Sequence, residues 1–138
     1  MGLIRLSVMA SAVCLLFVNL ASAETKPDPR EKIETLIPYG IKLLEAKEYA
    51  KFLQEFVPPD DFKRITKDLP LENFAKDFGA SNAQVLLAVL KGIKDEKPKL
   101  DADGKVATFE LSEKVKEAAG GKPTIKFTKV EKFWYINN

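Results

Sequence analysis

The sequence predicts an α+β domain, with helices first and an antiparallel β-sheet after them. Two observations carry this. Apolar residues between positions 31 and 93 recur every three or four places, the period of a helix with one buried face. From Lys97 the period changes to two, that of strands with two unlike faces. Residues 1–23 stand apart from both patterns. They run from a short cationic start with Arg5 through an apolar stretch, Leu6 to Leu20, to Ala21-Ser22-Ala23, the layout of a secretory signal peptide.

The apolar stretch is broken by Ser7, Ser11 and Asn19 and falls short of the ~20 residues that span a bilayer. A cleaved leader is therefore expected, with no stable membrane anchor. Cys14 follows Val13 inside the stretch. Cutting before it would leave Leu15 to Leu20 as an exposed apolar tail, which argues against lipidation. Cleavage after Ala23 would leave 115 of the 138 residues, enough for a single core. Expected domain limits are 1–23 for the leader, 24–30 for a flexible polar lead with Pro27 and Pro29, and 31–138 for a single α+β domain. The expected location is outside the cytoplasm, periplasmic or extracellular.

Removing Arg5 lowers the net charge from +2 to +1, with the two signs interspersed. No basic patch points to nucleic acid. The one cysteine leaves with the leader, and the chain contains no histidine. This excludes thiol nucleophiles, Ser-His-Asp triads, Cys/His zinc sites and imidazole pH switching.

The first helical stripe is Ile33, Leu36, Ile37, Gly40, Ile41 and Leu44. Pro38 is expected to kink or split it, with Gly40 adding weakness. The stripe loses phase at Ala46-Lys47-Glu48 and resumes at Tyr49, Phe52, Leu53, Phe56 and Val57, so two helices should meet at a corner. Pro58-Pro59 ends the second. Asp60-Asp61 is expected to cap a short helix through Asp68. Leu71, Phe74, Ala75 and Phe78 make another amphipathic stretch that Gly79 should stop. Ser81 should cap a well-buried helix with the stripe Ala83, Leu86, Leu87, Leu90 and Ile93, widened by Val85 and Val89.

Lys99–Asp101 and Lys105–Leu111 read as strands joined at Ala102-Asp103-Gly104, an Asp-Gly hairpin signal. Ser112–Ala119 fits either a short helix or a connection, and Gly120-Gly121 breaks the chain. Thr124–Val130 and Phe133–Asn137 read as the last hairpin, closed either by Glu131-Lys132 or by a longer loop. A two-residue turn would pair Val130 with Phe133, Thr128 with Tyr135 and Phe127 with Ile136. Ile125, Phe127, Trp134 and Ile136 would then share one face, and Thr128, Val130, Phe133 and Tyr135 the other.

Two segments carry a family resemblance. They are the corner Leu43-Leu44-Glu45-Ala46-Lys47-Glu48-Tyr49-Ala50-Lys51-Phe52-Leu53 and the hairpin Phe127-Thr128-Lys129-Val130-Glu131-Lys132-Phe133-Trp134-Tyr135-Ile136. With the order of elements, they resemble small exported bacterial members of the nuclear-transport-factor-2-like, cystatin-like superfamily. Such members often place Asp-Gly before the Trp, where this chain has Glu131-Lys132-Phe133. The resemblance implies helices packed on a curved antiparallel sheet, a cystatin-like cone. The superfamily includes isomerases, dehydratases, cyclases, binding modules and oligomerisation domains, so it sets architecture more than activity.

Asp101-Ala102-Asp103-Gly104 is too compressed for a calcium loop and reads as a turn. Asp60-Asp61 reads as helix-start charge, not a metal pair. Lys122, Lys126, Lys129 and Lys132 read as a solvated edge. No residue is assigned to catalysis or metal binding, and no cofactor is implied. The expected function is a non-catalytic binding or interaction module. Phe133 and Tyr135, with Thr128 and Val130, would form the surface for a small apolar ligand or for self-association. The alternative is a small lyase or isomerase using a Tyr and a pocket carboxylate such as Asp77, Asp95 or Glu110.

Overall fold

Six helices and a four-stranded antiparallel sheet make up residues 26–137, the part of the chain that the computed structural model describes. Residues 1–25 and 138, and with them the leader reading, lie outside the described residues. The helices precede the sheet except for one short insertion, so the fold is α+β. No helix among the described residues is long and apolar enough to cross a membrane.

Helix α1, Ile33–Glu45, buries Ile33, Leu36, Ile37, Gly40, Ile41, Leu43 and Leu44. It is continuous through Pro38, so of the expected kink or split the split does not occur. Pro38 deprives Glu34 of its helical bond, but both residues face water, which solvates the freed carbonyl. The corner forms where the stripe lost phase. Lys47 takes φ +58°, and the N–H groups of Lys47 and Glu48 donate to the carbonyls of Leu44 and Leu43 at 3.1 and 2.9 Å. Helix α2, Tyr49–Phe56, then turns its Phe52, Leu53 and Phe56 inward.

Helix α3, Pro59–Asp68, starts two residues earlier than a cap at Asp60 implies, with Pro59 in its first turn. Asp60 and Asp61 therefore lie inside that turn and are not caps. They complement the helix dipole, and Asp61 Oδ1 accepts from Arg64 at 2.6 Å. Helix α4, Leu71–Ser81, runs through Gly79, which was expected to end it. A Cβ on Gly79 would lie 2.6 Å from the Tyr49 ring, so this glycine serves the packing of α4 on α2. Ser81 closes α4, its hydroxyl donating to the Asp77 carbonyl, and Asn82 stands at the N-cap of α5, Ala83–Ile93.

The sheet order is β1-β2-β3-β4, with β1 Lys99–Leu100, β2 Val106–Glu110, β3 Thr124–Val130 and β4 Phe133–Ile136. The Asp-Gly hairpin forms as the sequence implied. Asp101 Oδ1 accepts from the Lys105 and Val106 N–H groups at 2.8 and 3.0 Å, and Gly104 adopts φ +67°. The last hairpin keeps the expected pairs, Val130 with Phe133, Thr128 with Tyr135 and Phe127 with Ile136. Its turn has two residues. Only Glu131 takes positive φ, at +56°, the sign pattern of a type II′ turn. Between β2 and β3, the segment left open between helix and connection forms α6, Glu113–Ala118.

Ala107, Phe109, Ile125, Phe127 and Trp134 on the inner sheet face pack with α1, α2, α4 and α5 into one cluster. Among the described residues no polar side chain is buried. Gly40 lies where α1 packs closely on α2 and α5 within this cluster. A Cβ there would lie 2.8 Å from the buried Phe56 ring and 3.1 Å from Leu90. A helical Gly→Ala change ordinarily stabilises by about 1 kcal/mol. Here Gly40→Ala is expected to destabilise by about 1–3 kcal/mol, the range for overpacking. Urea unfolding checks this, and a stabilised variant would refute the tight contact.

Candidate functional site

Helix α5 is apolar over too wide an arc for the partners it meets. Ala83, Val89, Leu90 and Ile93 are buried, whereas Leu86 and Leu87 are half-buried and Val85 is 40% exposed. Leu90 meets α1 at Gly40, and Gly92 packs against Val115 of α6. The surplus face opens onto a groove of about 410 Å³. Phe78, Val85, Leu86, Val89, Ile125 and Ile136 form its apolar walls, drawn from α4, α5, β3 and β4. Asn82, Lys122 and Thr124 are its polar lining. A second depression of about 340 Å³ adjoins it, sharing Phe78, Asn82, Leu86 and Ile136, and carries the paired Asp61 and Arg64.

A further groove of about 520 Å³ lies at the other end of the sheet, lined by Ile33, Ile37, Leu100, Phe109 and Trp134. Leu100 is 58% exposed there. Its rim mixes Glu31, Lys32, Glu34, Lys94 and Glu96, so it presents no single sign of charge. No cluster of three or more metal-ligating residues occurs among the described residues.

The four residues singled out in the sequence come together on the outer sheet face, as cross-strand partners. Phe133 is half-buried, with the Arg30 guanidinium 4.1 Å from its ring centre and Lys132 Nζ at 5.0 Å. Tyr135 is only 7% exposed. Thr128 accepts from Asn137 Nδ2 at 2.9 Å, and Val130 is 41% exposed at the strand end. None of the four lines the grooves described above. Of those that do, Val89 is buried as the stripe implied, whereas Val85 and Leu86, also expected to be buried, stand partly exposed. The over-wide stripe on α5 was the available signal.

Arg30 belongs to a clasp. The 3-10 turn Pro29–Glu31, at the end of the stretch read as a flexible lead, lies against β4. Asp28 Oδ1 accepts from the Arg30 backbone N–H and Nε, both at 2.9 Å, and Oδ2 from Nη2 at 2.7 Å. These hydrogen bonds hold the Asp28 carboxyl below its usual 3.8, against a smaller opposing effect of burial. Nearby, Tyr39 Oη on α1 donates to Glu55 Oε2 on α2 at 2.5 Å. Burial pushes the Tyr39 phenol up, and the bond to Glu55 adds to this. The carboxylates named beforehand, Asp77, Asp95 and Glu110, are all exposed.

The two linkages have opposite signs. Asp28 has a lowered pKa when folded, so its contribution is complete above about pH 4 and is lost as pH falls through the folded value. Tyr39 has a raised pKa, so its contribution is complete below about pH 10 and is lost as pH rises through the folded value. Asp28→Asn and Tyr39→Phe should each cost about 1 kcal/mol at neutral pH. The gap to the parent should close in acid for the first variant and in alkali for the second. Urea unfolding across pH checks this, and gaps that stay constant at both limits would refute the linkage.

No protein-family model matches this chain, and neither does any curated protein or any solved structure.

Proposed function

We propose that this chain is an exported, non-catalytic binding module that holds a small apolar ligand in the groove between α5 and the sheet. One observation carries the reading. Val85 stands 40% exposed above a groove walled by Phe78, Leu86, Ile125 and Ile136, so apolar surface is left uncovered beside a concave space. A volume of about 410 Å³ lies within the range of small-molecule sites. Covering the exposed part of Val85 and of half-buried Leu86 is worth about 1 kcal/mol each, and each CH₂ the ligand itself buries adds about 0.8 kcal/mol. Export rests on the leader-like residues 1–23.

The groove is preferred over the outer face because Arg30 already covers the Phe133 ring and Tyr135 is nearly buried. The lyase or isomerase alternative named Asp77, Asp95 or Glu110, all exposed, whereas the carboxylate that meets a phenol in the structure is Glu55, bonded by Tyr39. That pair belongs to the α1–α2 contact, and its phenol is already engaged. The residues lining the α5 groove include no carboxylate.

Fluorescence titration of the purified protein with the neutral dye Nile red tests the reading. Saturable binding is expected, weakened about tenfold or more by Val85→Glu, which places a charge in the apolar wall. Phe133→Ala should leave it unchanged. A parent protein that binds no dye would overturn the proposal. So would loss of binding in the Phe133 variant but not in the Val85 variant, which would move the site to the outer face.

A further inference from the structure

We infer that the clasp at Pro29–Glu31 is a latch that keeps the chain monomeric, by covering a strand edge that is complementary to β4 of a second copy. The inference is independent of the α5 groove. β4 is the last strand of the sheet, so one of its edges has no strand beside it. Val130 and Phe133 flank a two-residue turn and so form a hydrogen-bonded pair. The Asn137 N–H, which donates to the Lys126 carbonyl at 2.9 Å, continues that alternation. Phe133 and Tyr135 therefore turn their backbone groups toward β3. Those of Trp134 and Ile136 point outward, and no backbone partner meets them among the described residues. The opposite edge strand, β1, has two residues with Pro98 before it and is already blunted.

The clasp straddles the outward edge of β4. Arg30 lies over the Phe133 ring on the outer face. Hydrogen bonding to Asp28 raises the Arg30 pKa, and attraction to Asp28, Glu55 and Tyr135 adds to this against an opposing effect of burial. Tyr135 is on the outer face, whereas Glu55 is on α2, whose Phe52 and Phe56 pack in the core under the inner face. Groups from both sides of β4 thus surround one guanidinium, and the Arg30 side chain is only 19% exposed. The clasp covers the edge without pairing to it. Pro27 and Pro29 have no N–H to offer a ladder. Its hydrogen bonds run within it or to Thr35, whose Oγ1 donates to the Pro29 carbonyl at 2.7 Å. It can therefore lift without breaking a sheet ladder. The edge beneath is complementary to itself. A two-fold axis at Tyr135 sets Trp134 against Ile136 of the second copy and Ile136 against its Trp134, each pair exchanging both bonds. One sheet then runs through both copies.

Sedimentation velocity of Arg30→Ala against the parent, with amide hydrogen exchange at low and high protein concentration, tests the inference. The parent should sediment as a monomer, with exchange at Trp134 and Ile136 independent of concentration. Losing the stacked cation raises the open population about two- to fivefold. A dimer needs two open copies, so self-association should tighten about tenfold. In the variant, both amides should gain protection as concentration rises. Phe133→Leu, which removes the ring and keeps Arg30, should act in the same direction. Adding Ile136→Pro to Arg30→Ala removes one outward donor and should restore the monomer. Self-association no tighter in Arg30→Ala and Phe133→Leu than in the parent would refute the latch. Association that leaves the two amides unprotected, or that survives Ile136→Pro, would overturn β4 as the surface. A parent already dimeric through β4 would overturn the clasp as its cover. Protection of these amides by a peptide of alternating threonine and valine, but never by a second copy, would replace the second copy with a foreign strand.

Discussion

The stack of Phe52 between Phe56 and Phe78 is the contact on which the helical layer depends. Its ring centres lie 4.3 and 5.6 Å from those of its neighbours, with planes within 14° of parallel. Phe52 and Phe56 belong to α2 and Phe78 to α4, so the stack joins two helices that are separate in sequence. Tyr39 of α1 extends it at Phe56, and Tyr49 meets Phe78 edge-on. Such pairs add about 0.5–1.5 kcal/mol each beyond the area they bury. Gly40 and Gly79 make the approach achievable, because a methyl group at either would enter one of these rings.

The groove inherits its shape from that stack. Phe78 is both the end of the aromatic column and a wall of the groove. Its position sets how far α4 stands from α5, and so how much of Leu86 and Val85 stays uncovered. No other element among the described residues fills this gap. Surplus apolar surface is costly to leave in water. Its persistence beside a concave space is what separates this part of α5 from ordinary core.

A core without a disulfide, and without a buried charged side chain among the described residues, needs its sheet edge guarded in another way. The chain's one cysteine is Cys14, so no intramolecular disulfide can form. The edge strand β4 has the 3-10 turn Pro29–Glu31 beside it, and Arg30 is fixed at once by Asp28 and by the Phe133 ring. An edge strand flanked in this way is a poorer template for another chain. The same contact explains why the outer face, two-sided in pattern, does not offer Phe133 freely.

What residue order determined by itself was whatever depends on neighbours in sequence. The corner at Ala46-Lys47-Glu48 follows from a lost helical phase, and the pairing of Val130 with Phe133 follows from the alternation of strand faces and a two-residue turn. The Asp101–Gly104 hairpin and the absence of thiol and imidazole chemistry in residues 24–138 are equally local facts. Only the tertiary structure decided the rest. Pro38 sits in an unbroken helix because its freed carbonyl reaches water, and Gly79 lies inside α4 because Tyr49 presses on it. Periodicity marks Val85, Leu86 and Val89 as apolar but is silent on whether another element covers them. That depends on helix spacing set by rings distant in the chain.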